Sequence, residues 1–154
     1  MRTLAFTTVS AEKTRELGAR IGAACTGGEV FLLSGDLGAG KTCLTQGVAR
    51  GLGVEATVTS PTFVTHMQYL GGRGLALEHF DFYRLEGCRA DALDFYDFFN
   101  DPQRVCVVEW PQVIPDVLPR EFVGVELVAT ARNRRRLLLT AATPAGEKFL
   151  DRLA

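Results

Sequence analysis

A glycine-rich segment constrains the fold of this chain more than any other feature of its sequence. The segment Gly35-Asp36-Leu37-Gly38-Ala39-Gly40-Lys41-Thr42 has the spacing G-x-x-x-x-G-K-[ST]. An apolar run at residues 30–33 precedes it, and a helix is predicted from residue 41 to about residue 50. A strand, a glycine loop and a helix in this order aim backbone N–H groups and the positive end of the helix dipole at one point. The segment therefore predicts a phosphate-binding loop, or P-loop.

Each position of the loop has a physical role in that prediction. Gly35, Gly38 and Gly40 supply the backbone freedom and the space that phosphate oxygens need. Lys41 is expected to reach the β- and γ-phosphates, and the Thr42 hydroxyl is expected to bind Mg²⁺. The ligand predicted by this pattern is a nucleoside triphosphate with Mg²⁺.

The identity of the base is suggested by a missing motif. GTPases that select guanine carry an N/TKxD motif, and none of the lysines of this chain (Lys13, Lys41 and Lys148) lies in that context. The sequence therefore favours ATP over GTP.

The remaining pattern predicts an α/β fold with a mixed central sheet flanked by helices, in a single domain of residues 1–154. Two strand pairs separated by short polar turns predict hairpins, and apolar runs elsewhere predict buried parallel strands. The predicted strands are residues 3–9, 30–33, 64–70, 75–80, 105–108, 122–130 and 136–142. The predicted helices are residues 11–25, 41–50 and 144–154, with short helices within 91–100.

Composition excludes several classes of protein. The net charge of −1 predicts no general attraction to nucleic acid or to a membrane surface, so neither DNA nor a membrane is an expected partner. No apolar stretch is long enough to cross a bilayer. The four cysteines form no CxxC pair and lie far in sequence from both histidines, which favours reduced cysteines in a cytoplasmic protein over a zinc site.

A P-loop requires a further carboxylate at the end of a buried strand, to hold Mg²⁺ or to position water. Glu109 follows the apolar run at residues 105–108, as in a Walker B motif, and Asp81 follows the less apolar run at residues 75–80. Either carboxylate could instead be a surface group that ends its strand. Trp110, the only tryptophan, could stack on a base or could belong to the core.

Two further features have alternative interpretations. His79 is expected to be a hydrogen-bonded histidine within a strand. The arginines at 132, 134, 135 and 136 are expected at the tip of a hairpin, where they could be solvated or could contact the phosphates of RNA or of the nucleotide.

Four motifs in order resemble the TsaE (YjeE) family, and the resemblance extends over nearly the whole chain. They are the loop of residues 35–42, Ser60-Pro61-Thr62-Phe63, His79-Phe80-Asp81-Phe82-Tyr83-Arg84-Leu85 and Val108-Glu109-Trp110-Pro111. The family consists of small bacterial ATPases required for threonylcarbamoyladenosine at position 37 of tRNAs. The resemblance implies a P-loop α/β fold, weak Mg²⁺-dependent ATP hydrolysis and action with TsaB and TsaD, through which tRNA is reached indirectly.

The resemblance also implies roles for individual residues. Thr42 and Glu109 match Mg²⁺ ligands, Asp81 matches an acid that orients or activates water, and Trp110 and Arg135 match residues beside the nucleotide. Residues 36–42 (Asp36, Leu37, Gly38, Ala39, Gly40, Lys41 and Thr42) match the phosphate binders. Ser60-Pro61-Thr62 resembles a loop that senses the γ-phosphate.

One position departs from the family pattern. Cys43 stands where the family usually has a second threonine, which often hydrogen-bonds the α-phosphate. A thiol donates more weakly than a hydroxyl, so a loss on the order of 1 kcal/mol is expected there.

Two other functions remain compatible with the residues alone. A small-molecule P-loop kinase could use the arginine cluster as a phosphate clamp, although a chain of 154 residues has little room for a lid and an acceptor pocket. A nucleotide-gated binding module, in which hydrolysis is incidental, is the other alternative.

Overall fold

The computed structural model describes residues 1–59, 65–86, 96–99 and 101–154. The strands are β1 (Arg2–Thr8), β2 (Val30–Ser34), β3 (His66–Leu70), β4 (Ala76–Asp81), β5 (Arg104–Glu109), β6 (Val123–Ala131) and β7 (Arg134–Ala141). The helices are α1 (Ala11–Ala24), α2 (Lys41–Gly51), α3 (Tyr96–Phe99) and α4 (Pro144–Leu153). These elements confirm the predicted α/β class.

All seven strands form one mixed sheet in the order β1-β7-β6-β2-β5-β4-β3. The four central strands, β6, β2, β5 and β4, run parallel to one another. The outer pairs are antiparallel, and both predicted hairpins, β3–β4 and β6–β7, are present. The carboxyl ends of β2, β5 and β4 therefore meet at one edge of the sheet.

Helix α1 follows from local signals in the sequence. The Ser10 side chain accepts a hydrogen bond from the Lys13 backbone N–H, which caps the helix as predicted. Leu17 and Ile21, one turn apart, are buried against the sheet. The helix ends one residue before Cys25, close to its predicted end.

Glycines bring α1 and α2 into backbone contact. A Cβ atom at Gly47 would lie 2.1 Å from the Arg15 carbonyl oxygen, and one at Gly18 would lie 2.4 Å from the Leu44 carbonyl oxygen. Gly22 and Gly51, one turn further along each helix, are equally close to the opposite backbone. Because α2 begins at the glycine loop, this contact determines where the start of α2 points.

The sheet separates two apolar cores. One lies under α1, α2 and α4, where the rings of Phe31 and Phe149 meet edge to face with centroids 5.2 Å apart. The other lies under α3 and the 3-10 turns of residues 111–117, around the buried rings of Phe80, Phe82 and Phe99. Among the described ranges, no helix is long and apolar enough to span a bilayer.

A buried carboxylate ties the outer strands to β5. Glu78 is fully buried and accepts hydrogen bonds from His66, Gln68 and Arg104. Burial alone would raise the pKa of Glu78, but its hydrogen bonds to His66 and Gln68 and the nearby charges hold that pKa below its ordinary value. The Glu78 carboxylate is therefore charged and saturated with donors, as a structural ion cluster should be.

We expect Gly47→Ala to lower the free energy of unfolding by about 1–3 kcal/mol, because the added methyl group overlaps the α1 backbone. Alanine favours a helix over glycine by about 1 kcal/mol, so a purely local effect would have the opposite sign. Gly72→Ala is the matched control, since a Cβ there would be no closer than 3.7 Å to its nearest neighbour. Urea unfolding of both variants measures the difference, and equal stability of the two would contradict the packing argument.

Candidate functional site

An open cavity of about 390 Å³ lies at the carboxyl ends of the central strands. The glycine loop follows β2, Asp81 ends β4 and Glu109 ends β5. The β6–β7 hairpin turn and the first residues of α1 complete its wall. A cavity at this edge of an open parallel sheet is a common position for ligand binding in α/β proteins.

The loop has the backbone geometry that the glycine pattern predicts. Gly38 and Gly40 have φ angles of 79° and 104°, which residues with a Cβ atom rarely adopt. Gly40 is the last residue before α2, so the free N–H groups of the first helical turn face the cavity end of the loop. This arrangement favours binding of an anion.

Lys41 lies folded against its own loop. Its ammonium group donates hydrogen bonds to the carbonyl oxygens of Gly35 (2.5 Å) and Asp36 (3.0 Å), and it lies 4.3 Å from the centre of the Trp110 ring. Burial lowers the pKa of Lys41, while the carboxylates of Glu109 and Asp81 oppose that shift. The charge of Lys41 is thus held at the cavity between the loop and two acids.

Asp81 and Glu109 lie side by side, because they are paired in the parallel register of β4 and β5. Burial raises the pKa of the Asp81 carboxyl, and the neighbouring Glu109 carboxylate adds to that rise. The Tyr83 backbone N–H donates to Asp81 Oδ1 at 3.0 Å and partly opposes the shift. A carboxylate with a raised pKa at the wall of a cavity is suited to accept a proton from water.

Glu109 has a partner that the sequence did not indicate. His79 Nε2 lies 2.5 Å from Glu109 Oε2, and both side chains are buried. The expectation of a hydrogen-bonded strand histidine is met at this nitrogen only. Nδ1 of the same ring is buried and has no hydrogen-bond partner within the described part of the chain.

Trp110 is held in an unusual backbone conformation at the cavity wall. Its φ of 57° is one of two positive values among the non-glycine residues of the described ranges. Its ring contacts Tyr83, with centroids 5.0 Å apart, in addition to Lys41. Backbone strain of this kind is found at functional sites, and it turns the indole toward the cavity.

Arg135 connects the last hairpin to the glycine loop. Its guanidinium donates to the carbonyl oxygens of Ala131, Arg132 and Arg134 and, at 3.3 Å, to that of Gly38. The arginine run lies at the tip of the β6–β7 hairpin, as predicted, and the tip reaches the cavity.

Most of the predicted site residues line this one cavity: Leu37, Gly38, Gly40, Lys41, Thr42, Cys43, Asp81, Glu109, Trp110 and Arg135. Asp36 and Ala39 do not; they line a depression on the other side of the loop, against β6. The cavity is also lined by residues for which the sequence predicted no role at the site: Ser10, Ala11, Thr14, Tyr83 and Asn133. Tyr83 belongs to the motif of residues 79–85. No local signal marks Ser10, Ala11 or Thr14, because only the fold brings the start of α1 to the loop.

The cavity offers the hard oxygen ligands that Mg²⁺ prefers: the hydroxyl of Thr42 and the carboxylates of Glu109 and Asp81. Mg²⁺ in proteins is usually held by one or two carboxylates and keeps several waters, so these residues would fit the ion. The Ser60-Pro61-Thr62 segment, predicted to sense the γ-phosphate, lies outside the described residues.

The chain is similar to known proteins along most of its length. The family model "Threonylcarbamoyl adenosine biosynthesis protein TsaE" matches residues 8–137. A "tRNA threonylcarbamoyladenosine biosynthesis protein TsaE" of Bacillus subtilis is 36% identical over 154 residues, covering 100% of this chain and 96% of the relative. A protein of the same name from Treponema pallidum is 37% identical over 132 residues, covering 83% of this chain and 93% of the relative.

A solved structure is similar throughout. The crystal structure of Bacillus subtilis YdiB superposes with a TM-score of 0.82 at 32% sequence identity, covering 99% of this chain and 94% of that chain. The family match, the similar relatives and the shared fold lead to one conclusion: this chain belongs to the TsaE family.

Proposed function

We propose that this chain binds ATP with Mg²⁺ at the cavity and hydrolyses it slowly. The observation that carries the proposal is the convergence of Lys41 and Thr42 with two strand-end carboxylates, Asp81 and Glu109, on one cavity. Phosphoryl transfer requires little covalent chemistry from a protein, so positioned cations, donors and a carboxylate that orients water are sufficient.

We further propose that hydrolysis serves the formation of threonylcarbamoyladenosine in tRNA. The support is family membership and the name of a relative that matches across the full length of the chain. In this proposal the chain acts in the cytoplasm with TsaB and TsaD and reaches tRNA through that assembly. It supplies the ATPase cycle and does not itself transfer the threonylcarbamoyl group.

The residues of the cavity divide the work in this proposal. The loop N–H groups and Lys41 hold the β- and γ-phosphates, and Lys41 exchanges its carbonyl contacts for phosphate oxygens. Asp81, with its raised pKa, orients the attacking water and accepts its proton. Trp110 packs beside the nucleotide, and Arg135 braces the loop through Gly38.

Thr42 and Glu109 would hold Mg²⁺ in this arrangement. When bound, the ion neutralises charge on the β- and γ-phosphate oxygens. Two adjacent strands each end in an acid, so Glu109 can bind the ion while Asp81 orients the attacking water.

Amino-acid substitution separates this proposal from its alternatives. We expect Lys41→Ala to weaken ATP binding about 10- to 100-fold through loss of charge-assisted hydrogen bonds. Asp81→Asn should bind ATP within about threefold of wild type and lose at least about 100-fold in turnover, the usual contribution of a general base. Calorimetric titration with ATP and release of inorganic phosphate are the two measurements.

Reconstituted tRNA modification with TsaB and TsaD decides the physiological role. We expect modification and ATP-dependent association with wild type, and neither with Lys41→Ala. Full modification by a hydrolysis-dead Asp81→Asn protein would favour a nucleotide-gated binding module. Transfer of phosphate to a small molecule, in place of free phosphate, would favour a kinase.

Cys43 offers a test of the fit of the loop. We expect Cys43→Thr to bind ATP about fivefold more tightly, since a hydroxyl donates a stronger hydrogen bond than a thiol, worth about 1 kcal/mol. Cys43→Ala is the control and should bind no more tightly than wild type. Equal affinity of the threonine and alanine variants would show that this side chain does not donate to the nucleotide.

A further inference from the structure

His79 occupies a position where packing alone would favour an apolar side chain. It lies on β4 between Leu77 and Asp81 along the same face of the sheet, opposite Val107 in the register with β5. It is fully buried, and its neighbours on this face, Leu77 and Val107, belong to the main apolar core. A polar ring in such a place has a cost that a hydrogen bond must offset.

The hydrogen bonds of His79 are incomplete. With Nε2 donating to the Glu109 carboxylate at 2.5 Å, a neutral ring leaves Nδ1 as an acceptor. That acceptor is buried and unpaired within the described ranges, which is destabilising. The stability of β4 therefore does not account for a histidine at position 79. The contact of its ring with Glu109 suggests a different role.

The contact constrains one oxygen of Glu109 and leaves the other available. Oε2 is engaged by His79, and no side chain of the described residues donates a hydrogen bond to Oε1. Glu109 lines the cavity together with Thr42, although its side chain is only 4% exposed. A buried carboxylate held at one oxygen has a defined orientation for a ligand at the other.

A second histidine–glutamate pair in the same hairpin has only a structural role and serves as a comparison. His66 contacts Glu78 on the other face of the same hairpin, and Gln68 and Arg104 also donate to that carboxylate. Glu78 is fully buried and does not line the cavity. The Glu78 carboxylate is saturated, whereas the Glu109 carboxylate retains capacity for a ligand.

We propose that His79 is a positioning residue that orients the Glu109 carboxylate so that its free oxygen binds Mg²⁺ or a water of Mg²⁺ beside Thr42. Hydrogen-bonded partners of metal-binding side chains commonly influence affinity in this way. The proposal rests on the Mg²⁺ and nucleotide site proposed above, and it concerns how tightly and in what geometry Mg²⁺ is held.

The test compares ADP binding in Mg²⁺ and in EDTA, measured by calorimetric titration of the full chain. We expect Mg²⁺ to tighten ADP binding by wild type, and His79→Phe to lose at least about tenfold of that enhancement. Binding of ADP in EDTA should stay within about threefold of wild type, because the loop is unchanged. His79→Gln, whose amide can reach Glu109, should recover most of the Mg²⁺ enhancement.

Two further variants keep the test decisive. His66→Phe removes the matched ring from the structural pair and should leave the Mg²⁺ enhancement intact, whatever its effect on stability. If His79→Phe does not fold, His79→Asn replaces it, since its shorter amide falls short of Glu109 and should lose the enhancement that His79→Gln keeps.

The other possible results would overturn either the role of His79 or the metal site itself. Full Mg²⁺ enhancement in His79→Phe or His79→Asn would overturn the positioning role, as would an equal loss in the His66 and His79 variants. A wild-type protein whose ADP affinity ignores Mg²⁺ would instead overturn the proposed metal site, and this inference with it.

Discussion

The parallel pairing of β2 with β5, and of β5 with β4, is the constraint on which the site depends. It places the glycine loop, Glu109 and Asp81 at one edge of the sheet, although they are far apart in the chain. The strand register fixes these positions, since Glu109 is directly opposite Asp81 of β4 on one side and Leu33 of β2 on the other. A shift of one residue would turn either acid to the opposite face of the sheet.

The helix pair fixes the second half of the geometry. Close backbone contact through Gly47 and Gly18 leaves α2 little freedom to rotate against α1. The packing of α2 on α1 therefore determines where Lys41 and Thr42, in the first turn of α2, point. Ser10, which caps α1, and the first residues of that helix reach the same cavity as a consequence of this packing.

The cavity has both negative and positive groups on its wall, an arrangement suited to a polyanion bound together with a divalent cation. Burial and the adjacent Glu109 carboxylate raise the pKa of Asp81, while Lys41 and the loop N–H groups attract negative charge. On the opposite face of the sheet, the Glu78 carboxylate is in contact with the Arg104 guanidinium, and Glu78 does not line the cavity. The position of Asp81 and Glu109 at the cavity wall therefore distinguishes a ligand-binding site from the structural ion cluster around Glu78.

The sequence by itself determined the loop, the element order and the mixed sheet, because glycine spacing, caps and apolar periodicity are local signals. It also identified Asp81 and Glu109 as candidates, since a carboxylate after an apolar run is visible without a structure. Only the tertiary structure decided that these acids are neighbours, that Arg135 braces Gly38, and that Ser10 and Tyr83 line the cavity. It alone revealed the contact of His79 with Glu109, because strand register and helix packing join residues whose sequence separation carries no information about their distance.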